Sequence, residues 1–186
     1  MGRGREGNTD RLLVLADEMG FTLRIIQPLL DDGEPISSTR IRNLLMEGRV
    51  REAERLLGRP YTLSGTVSAG AHRGRALGFR TANLPVDPTR ALPRDGVYAV
   101  WVVTSQGRRG GVANIGVRPS FDSGERTLEV HVFDYAGDLY GHWMAVEFVE
   151  WLRPEMRFSS PAELAAQIAR DAAEARALLS VPQTSG

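Results

Sequence analysis

The 186-residue chain has an ordinary apolar fraction of 42%, and its 23 basic and 23 acidic residues cancel. This balance excludes a global positive field of the kind that marks many nucleic-acid-binding proteins, and the lack of cysteine excludes disulfides, thiolate metal sites and cysteine nucleophiles. No apolar run reaches the roughly 20 residues that span a bilayer, and the chain does not begin with the apolar core of a signal peptide. We therefore expect a cytoplasmic protein that binds neither nucleic acid nor membranes; the sequence leaves its oligomeric state open.

Before Gly58, the chain is predicted to contain helices and a single strand. "DRLLVLADEMG" has apolar residues at helical spacing, and "SSTRIRNLLMEG" resembles a capped helix that ends at Gly48. "FTLRIIQP" predicts a short strand stopped by Pro28, and "VREAERLL" predicts a further helix. Because a lone strand cannot form a sheet, we interpret residues 1–58 as the closing part of an α/β unit whose front is missing.

After Pro60, the pattern becomes that of short strands separated by Gly, Asp and Pro. The predicted strands lie in "YTLSGTVSAG", "GVYAVWVVTS", "RRGGVANIG", "RTLEVHVFDY" and "HWMAVEFVEWL". Their close spacing predicts an antiparallel barrel or sandwich. The chain then enters a long helix, in which Ser160 and Glu163 form a capping box and Pro161 takes the first helical position. The apolar stripe of this helix is expected to pack on the barrel.

The segment "GRALGFRTANLP" combines glycines, arginines and small polar residues. Gly70, Gly74 and Gly78 recur every four residues, which matches neither the phosphate loop of P-loop proteins nor the dinucleotide fingerprint. Glycines let backbone N–H groups approach an anion, and Arg73 and Arg75 add positive charge, so the loop is a candidate phosphate-binding site. It is equally compatible with an ordinary surface turn.

Two groups of polar side chains are candidates for chemistry. If residues 81–83 are extended, Thr81 and Asn83 lie on one face, about 7 Å apart, where a hydroxyl and an amide oxygen can share one hard cation. In "RTLEVHVF", Leu128 and Val130 should face the core, which turns Glu129 outward as a potential general base. The alternative is a solvated glutamate on an exposed strand face.

Several motifs in order resemble the riboflavin kinase module of bacterial bifunctional riboflavin kinase/FAD synthetases. They are "GRALGFRTANLP", "GVYAVWVV", "GVANIGVRPSF", "LEVHVFD", "DLYG" and "LRPEMRF", and the resemblance covers about residues 60–180. It implies a mainly β fold, with a six-stranded antiparallel Greek-key barrel and a long C-terminal helix in residues 59–186. Residues 1–58 would be the C-terminal remnant of the nucleotidyltransferase (FAD synthetase) domain.

The resemblance also implies roles for individual residues. Thr81 and Asn83 would bind Mg²⁺ and the phosphates of ATP, with Phe79 in the same signature, and Glu129 would be the catalytic base. The chain would then transfer the γ-phosphate of ATP to the terminal ribityl hydroxyl of riboflavin, giving FMN and ADP. The loop from Gly70 to Gly78 would cradle the phosphates, with Arg73, Gly74 and Arg75 among its members.

We expect the flavin ring between the barrel mouth and the terminal helix, near Arg153, Phe158 and Leu164. Arg153 and Glu155 are equally compatible with an ion pair that anchors the helix. The alternative function from another class is a non-catalytic flavin- or nucleotide-binding barrel.

Two features depart from the family pattern. The family usually has proline at the position of Arg80, and its loss is expected either to leave the metal ligands less preorganised or to be offset by an arginine–phosphate contact. "GRGREGN" and "ISSTRIR" resemble the end of the adenylyltransferase domain, but its HxGH-type motif does not occur in this sequence, so we do not expect FAD synthesis. Ser37, Ser38, Thr39, Arg40 and Arg42 are either relics of that site or, in the interpretation we favour, a capped helix with solvated arginines.

Overall fold

A computed structural model describes residues 9–68, 79, 81–87, 89–117 and 126–180. The chain divides into two compact units, Met1–Ile36 and Ser37–Gly186. The domain boundary predicted between residues 58 and 59 stays a prediction. In the described part of the chain, no helix combines the length and the apolar character needed to cross a membrane.

The first unit contains helix α1 (Thr9–Met19) and two short antiparallel strands, β1 (Leu30–Asp31) and β2 (Glu34–Pro35). A tight turn at Asp32 and Gly33, with φ of 52° and 82°, joins the two strands, as expected for an Asp-Gly hairpin. Helix α1 confirms the helix predicted there. The strand predicted for residues 21–28 is wrong, because these residues have no regular structure and the strand pair forms further along the chain, around the Asp-Gly turn.

The second unit begins with two helices, α2 (Ser38–Met46) and α3 (Val50–Leu57). The Ser37 side chain caps α2 by accepting a hydrogen bond from the Arg40 N–H at 3.2 Å, which supports the capped-helix interpretation of this segment. Helix α3 packs on the barrel, against its strands β3 and β8. The two helices therefore belong to the same compact unit as the barrel.

A six-stranded antiparallel sheet follows, in the order β3-β8-β5-β6-β7-β4. Its strands are β3 (Tyr61–Thr66), β4 (Ala82–Leu84), β5 (Gly96–Thr104), β6 (Gly107–Val117), β7 (Arg126–Val132) and β8 (Trp143–Arg153). Ser68, just beyond β3, forms an antiparallel bridge with Asn83 of β4, so the two edges of the sheet meet. The predicted fold class, a mainly β chain with a six-stranded antiparallel barrel and a long C-terminal helix, is confirmed.

Alternate residues of the six strands fill the barrel interior. The buried interior side chains are Leu63, Leu84, Tyr98, Val100, Val102, Ala113, Ile115, Leu128, Val130, Met144, Val146 and Phe148. Tyr98 and Phe148 meet edge to face, with ring centroids 5.2 Å apart, and burial raises the pKa of the Tyr98 hydroxyl well above its ordinary value. Because alternate residues of each strand point inwards, the six strands together form the barrel core.

Helix α4 (Pro161–Ser180) covers part of the outer face of the sheet. A second core lies between the helix and the sheet, formed by the buried residues Val97, Ala99, Val112, Phe133 and Ala175. At the start of α4, the Glu163 N–H donates to the Ser160 hydroxyl at 3.2 Å, and the Glu163 carboxylate accepts from the Ser159 N–H at 3.0 Å. The predicted helix start at Pro161 is confirmed.

Candidate active site

Three polar residues from neighbouring strands lie side by side on the outer face of the sheet. In the strand register, Glu129 of β7 lies directly opposite Asn83 of β4 on one side and opposite Asn114 of β6 on the other. Directly opposed residues in an antiparallel sheet have Cβ atoms about 4.5–5.5 Å apart and point to the same face. We call Asn83, Glu129 and Asn114 the polar row.

Strand β7 shows why Glu129 belongs to this face. Its neighbours Leu128 and Val130 are fully buried in the barrel interior, each with an exposed fraction of 0%, whereas Glu129 is only half-buried. The predicted alternation of this strand is confirmed. Glu129 is therefore partly exposed on the outer face, with a paired strand on each side.

The sheet also fixes the position of Asn83. Its carbonyl accepts the Ser68 N–H at 2.9 Å, and its residue exposure is only 5%. Thr81 immediately precedes β4 and is half-buried. Hydroxyl and amide oxygens are ligands that Mg²⁺ accepts in proteins, usually together with water and substrate phosphates, so Thr81 and Asn83 fit the predicted metal.

An aromatic contact brings Phe79 next to the same strand. The Phe79 and His131 rings meet edge to face with centroids 5.3 Å apart, and His131 lies two residues from Glu129 on the same face of β7. Phe79, which directly follows the predicted phosphate loop in the sequence, therefore lies beside the strand that carries the candidate base. Its other predicted members, Gly70, Arg73, Gly74, Arg75 and Gly78, and the unusual Arg80, lie outside the described residues.

A second carboxylate, that of Glu155, adjoins the polar row. The Asn114 side-chain amide donates a long hydrogen bond to Glu155 Oε1, at 3.4 Å. Both carboxylate oxygens lie over Gly116, where an added Cβ atom would come within 1.9 Å of Oε1. Sequence reasoning missed Asn114; the available signal was a polar residue within the apolar strand "GVANIGV".

Arg153, predicted to lie near the flavin, forms an ion pair with helix α4. Its guanidinium donates to both carboxylate oxygens of Asp171, at 2.9 and 2.7 Å, and the Asp171 side chain is 5% exposed. Gln167 donates a further hydrogen bond to Asp171 at 2.8 Å. The prediction of an anchoring ion pair is right about Arg153, but the partner is Asp171, since Glu155 turns towards Asn114.

Of the other two residues predicted near the flavin, Phe158 lies close to this ion pair. The Arg153 guanidinium carbon is 6.0 Å from the centroid of the Phe158 ring. Phe158 belongs to the segment of residues 154–160, which we call the β8–α4 linker, and Leu164 is half-buried on the first turn of α4. Their role in flavin binding stays a prediction.

A shallow groove lies at the other end of α4, next to the β5–β6 hairpin. Arg176 donates to both oxygens of Asp134, at 2.8 and 2.9 Å, and stacks 4.2 Å above the Phe133 ring. The Arg176 guanidinium holds the pKa of the Asp134 carboxyl below its ordinary value. Arg108 stacks in the same way on Trp101, 4.4 Å from its centroid. In this groove, the arginines are already paired with ring faces and carboxylates.

Comparisons with known proteins agree with this fold. The protein-family model described as flavokinase, riboflavin kinase, matches residues 57–179. The chain belongs to the riboflavin kinase family. The match includes all three residues of the polar row, together with Phe79, Thr81 and Glu155.

Relatives and solved structures extend the comparison beyond the matched domain. The chain is 43% identical over 176 residues to the bifunctional riboflavin kinase/FMN adenylyltransferase of Escherichia coli K12, covering 94% of this chain and 56% of the relative. A Streptococcus pneumoniae structure titled macrolide-efflux protein has a TM-score of 0.78 and 35% identity over 87% of this chain and 53% of its own. Riboflavin kinase from Trypanosoma brucei has a TM-score of 0.51 and 25% identity, covering 67% and 79%. The chain thus spans just over half the length of the E. coli relative.

Proposed function

We propose that this chain is an ATP:riboflavin 5′-phosphotransferase, which transfers the γ-phosphate of ATP to the terminal ribityl hydroxyl of riboflavin and releases FMN and ADP. The observation that carries the proposal is the register of strands β4 and β7, which sets Asn83 directly opposite Glu129. This register gives the candidate metal ligand and the candidate base one shared surface. Membership of the riboflavin kinase family supports the choice of substrates.

Thr81 and Asn83 would hold a magnesium ion against the β- and γ-phosphates of ATP. When bound, the ion neutralises the negative charge that builds up on the phosphates during transfer. The low exposure of Asn83 and its place in the ladder keep the amide oxygen in a fixed position. Phosphoryl transfer depends mainly on positioning and charge neutralisation, so fixed ligands are the contribution expected of this strand.

Glu129 would accept the proton of the ribityl hydroxyl. As the new bond forms between the hydroxyl oxygen and the γ-phosphorus, the bond to the bridging oxygen of ADP breaks and the hydroxyl proton passes to the carboxylate. A base of ordinary strength can serve, provided that it lies within hydrogen-bond reach of the hydroxyl. The half-buried position of Glu129, beside Asn83, supports this role.

The ATP phosphates would bind along the loop of residues 70–78, which leads to Phe79. The contact between Phe79 and His131 supports this proposal, because it holds Phe79, the residue after the loop, next to strand β7. The flavin would bind on the other side of Glu129, towards the β8–α4 linker and the start of α4, where Arg153, Phe158 and Leu164 lie. With ATP on one side of Glu129 and the flavin on the other, the two substrates would meet at this carboxylate, as phosphoryl transfer between them requires.

Incubation with riboflavin, ATP and Mg²⁺ tests the proposal, with ADP measured by a coupled assay and the flavins separated by chromatography. We expect FMN and ADP to form in equal amounts, and omission of Mg²⁺ or addition of excess EDTA to stop the reaction. Tight riboflavin binding without ADP would instead indicate a non-catalytic flavin-binding barrel. Chromatography also separates FMN from FAD, so adenylyl transfer would be recognised as a different reaction.

A further inference from the structure

The Glu155 carboxylate has a defined position on the same face of the sheet as the candidate base. Gly116, on which it rests, is two residues along β6 from Asn114, and Asn114 lies opposite Glu129. Gly116 and Glu129 are diagonal neighbours in the antiparallel pair of β6 and β7, and such neighbours are about 7–8 Å apart. An extended ligand chain of a few carbon atoms can therefore span the distance from Glu129 to the Glu155 carboxylate above Gly116.

Glu155 can contact only the substrate that binds on its own side of Glu129. Asn83 flanks Glu129 on one side, and Asn114 with Glu155 flanks it on the other. A second carboxylate next to ATP phosphates would repel them, whereas the side away from Asn83 is free of that conflict. Glu155 is therefore suited to the uncharged substrate.

A carboxylate in this position accepts hydrogen bonds and donates none, so it is complementary to hydroxyl groups. We propose that Glu155 binds secondary hydroxyl groups of the ribityl chain of riboflavin and so selects a polyol-bearing flavin. This inference rests on the proposed function and adds a specificity-determining residue to it. Hydrogen bonds to a charged acceptor are about twice as strong as neutral ones, which gives such a contact real discriminating power.

The structure holds Glu155 in place from both directions. The Gly116 position has no side chain, which permits the close approach, and the Asn114 amide donates to the carboxylate. At the start of the β8–α4 linker, the ion pair of Arg153 with the buried Asp171 fixes the backbone two residues before Glu155. The carboxylate is thus presented from an anchored segment.

Two variants, one control variant and one substrate analogue test this inference. Glu155→Met removes the acceptor at similar length, Gly116→Ala displaces the carboxylate without removing it, and Glu174→Met is the matched control for loss of an exposed carboxylate on α4. The analogue is a flavin whose side chain is 5-hydroxypentyl, which keeps the terminal hydroxyl and lacks the secondary ones. Each protein is assayed for KM and kcat with both flavins, and flavin binding without ATP is followed by fluorescence.

For wild-type protein, we expect the KM for the hydroxypentyl flavin to be about tenfold higher than for riboflavin. Glu155→Met and Gly116→Ala should raise the KM for riboflavin about tenfold, leave the KM for MgATP within twofold, and leave the hydroxypentyl flavin unaffected. Glu174→Met should match wild type. Wild-type protein that binds both flavins equally would overturn the inference, and this comparison stands even if a variant fails to fold.

Further outcomes distinguish a failure of the role inferred for Glu155 from a failure of the proposed function. An active wild-type enzyme with a Glu155→Met variant of unchanged riboflavin KM overturns the role of Glu155 alone. A Glu155→Met effect of the same size on both flavins overturns it as well, because a purely structural role would affect the two substrates equally. Absence of FMN formation by the wild-type protein would instead contradict the proposed function.

Discussion

The outer face of the sheet has two parts of opposite chemistry. Under α4, Val112 of β6 packs with Ala99 and Ala175 in a buried apolar layer. Two residues further along the same face of the same strand, Asn114 begins the polar row with Glu129. One strand thus passes from a helix-covered core to a polar, partly exposed surface within two residues. The comparison indicates that α4 packs on one part of this face, whereas we propose that the substrates bind at the polar row on the other part.

This division predicts two different responses to mutation. Substitutions in the polar row should lower activity with little effect on the free energy of unfolding. Substitutions under α4 should lower the free energy of unfolding first.

The largest effect is expected for Glu129→Gln. Loss of a general base typically costs about 10²–10⁴-fold, so kcat for FMN formation should fall within that range. The fold should persist, because Glu129 is half-buried and outside the apolar layer. Stopped assays of FMN give kcat, and thermal unfolding gives the midpoint temperature. If Glu129→Gln lost its activity because the protein unfolded at the assay temperature, the polar row would not differ from the apolar layer in its response to mutation.

The next largest effect is expected for Asp171→Ala, on the helix side. The change leaves the Arg153 guanidinium, whose side chain is 16% exposed, without its bidentate partner. Breaking a buried pair in this way costs about 3–5 kcal/mol in the free energy of unfolding, measured by urea titration. The double variant Arg153→Met/Asp171→Leu is the control, since it removes both charges, and it should recover much of the loss.

A smaller effect is expected for Asn83→Ala. Removing a proposed magnesium ligand should raise the KM for MgATP and the Mg²⁺ concentration for half-maximal activity by about tenfold. The KM for riboflavin should change less than twofold, because the flavin is proposed to bind on the other side of Glu129. An equal rise in both KM values would contradict this division of the two substrates.

The smallest effect concerns the exposed pair of Asp134 and Arg176. Arg176 holds the pKa of Asp134 below its ordinary value, so the pair's contribution to stability is present above the unfolded-state pKa and is lost as the pH falls through the lower folded-state pKa. Arg176→Gln should move the Asp134 pKa back up towards 3.8, measured by NMR titration. An unchanged titration curve would mean that the pair does not persist in solution.

The sequence predicted the elements of the barrel well because their signals are local. Alternation in "RTLEVHVF" assigned Leu128 to the interior and Glu129 to the outer face, and the capping residues located the start of α4. Alternation in residues 81–83 singled out Thr81 and Asn83 as candidate metal ligands, and the resemblance of their motif to a family signature added the predicted roles. In each case, a short stretch of sequence carries the information.

Features that depend on distant pairing were missed. Residues 21–28 have the composition of a strand, but a strand needs a partner, and composition does not supply one. Asp171 was not recognised as the partner of Arg153, although it lies on the apolar stripe of α4 between Ile168 and Ala175, where a charge requires a counter-ion. Asn114 lies opposite Glu129 because of the register between β6 and β7. The spacing of residues along one strand does not predict this register.

The most direct test of the central claim is a crystal structure of this protein with riboflavin, Mg²⁺ and ADP. We expect the terminal ribityl hydroxyl to lie within about 2.6–3.2 Å of the Glu129 carboxylate, with the metal on the side of Asn83. A complex in which the hydroxyl lies on another face of the barrel, away from Glu129, would contradict it.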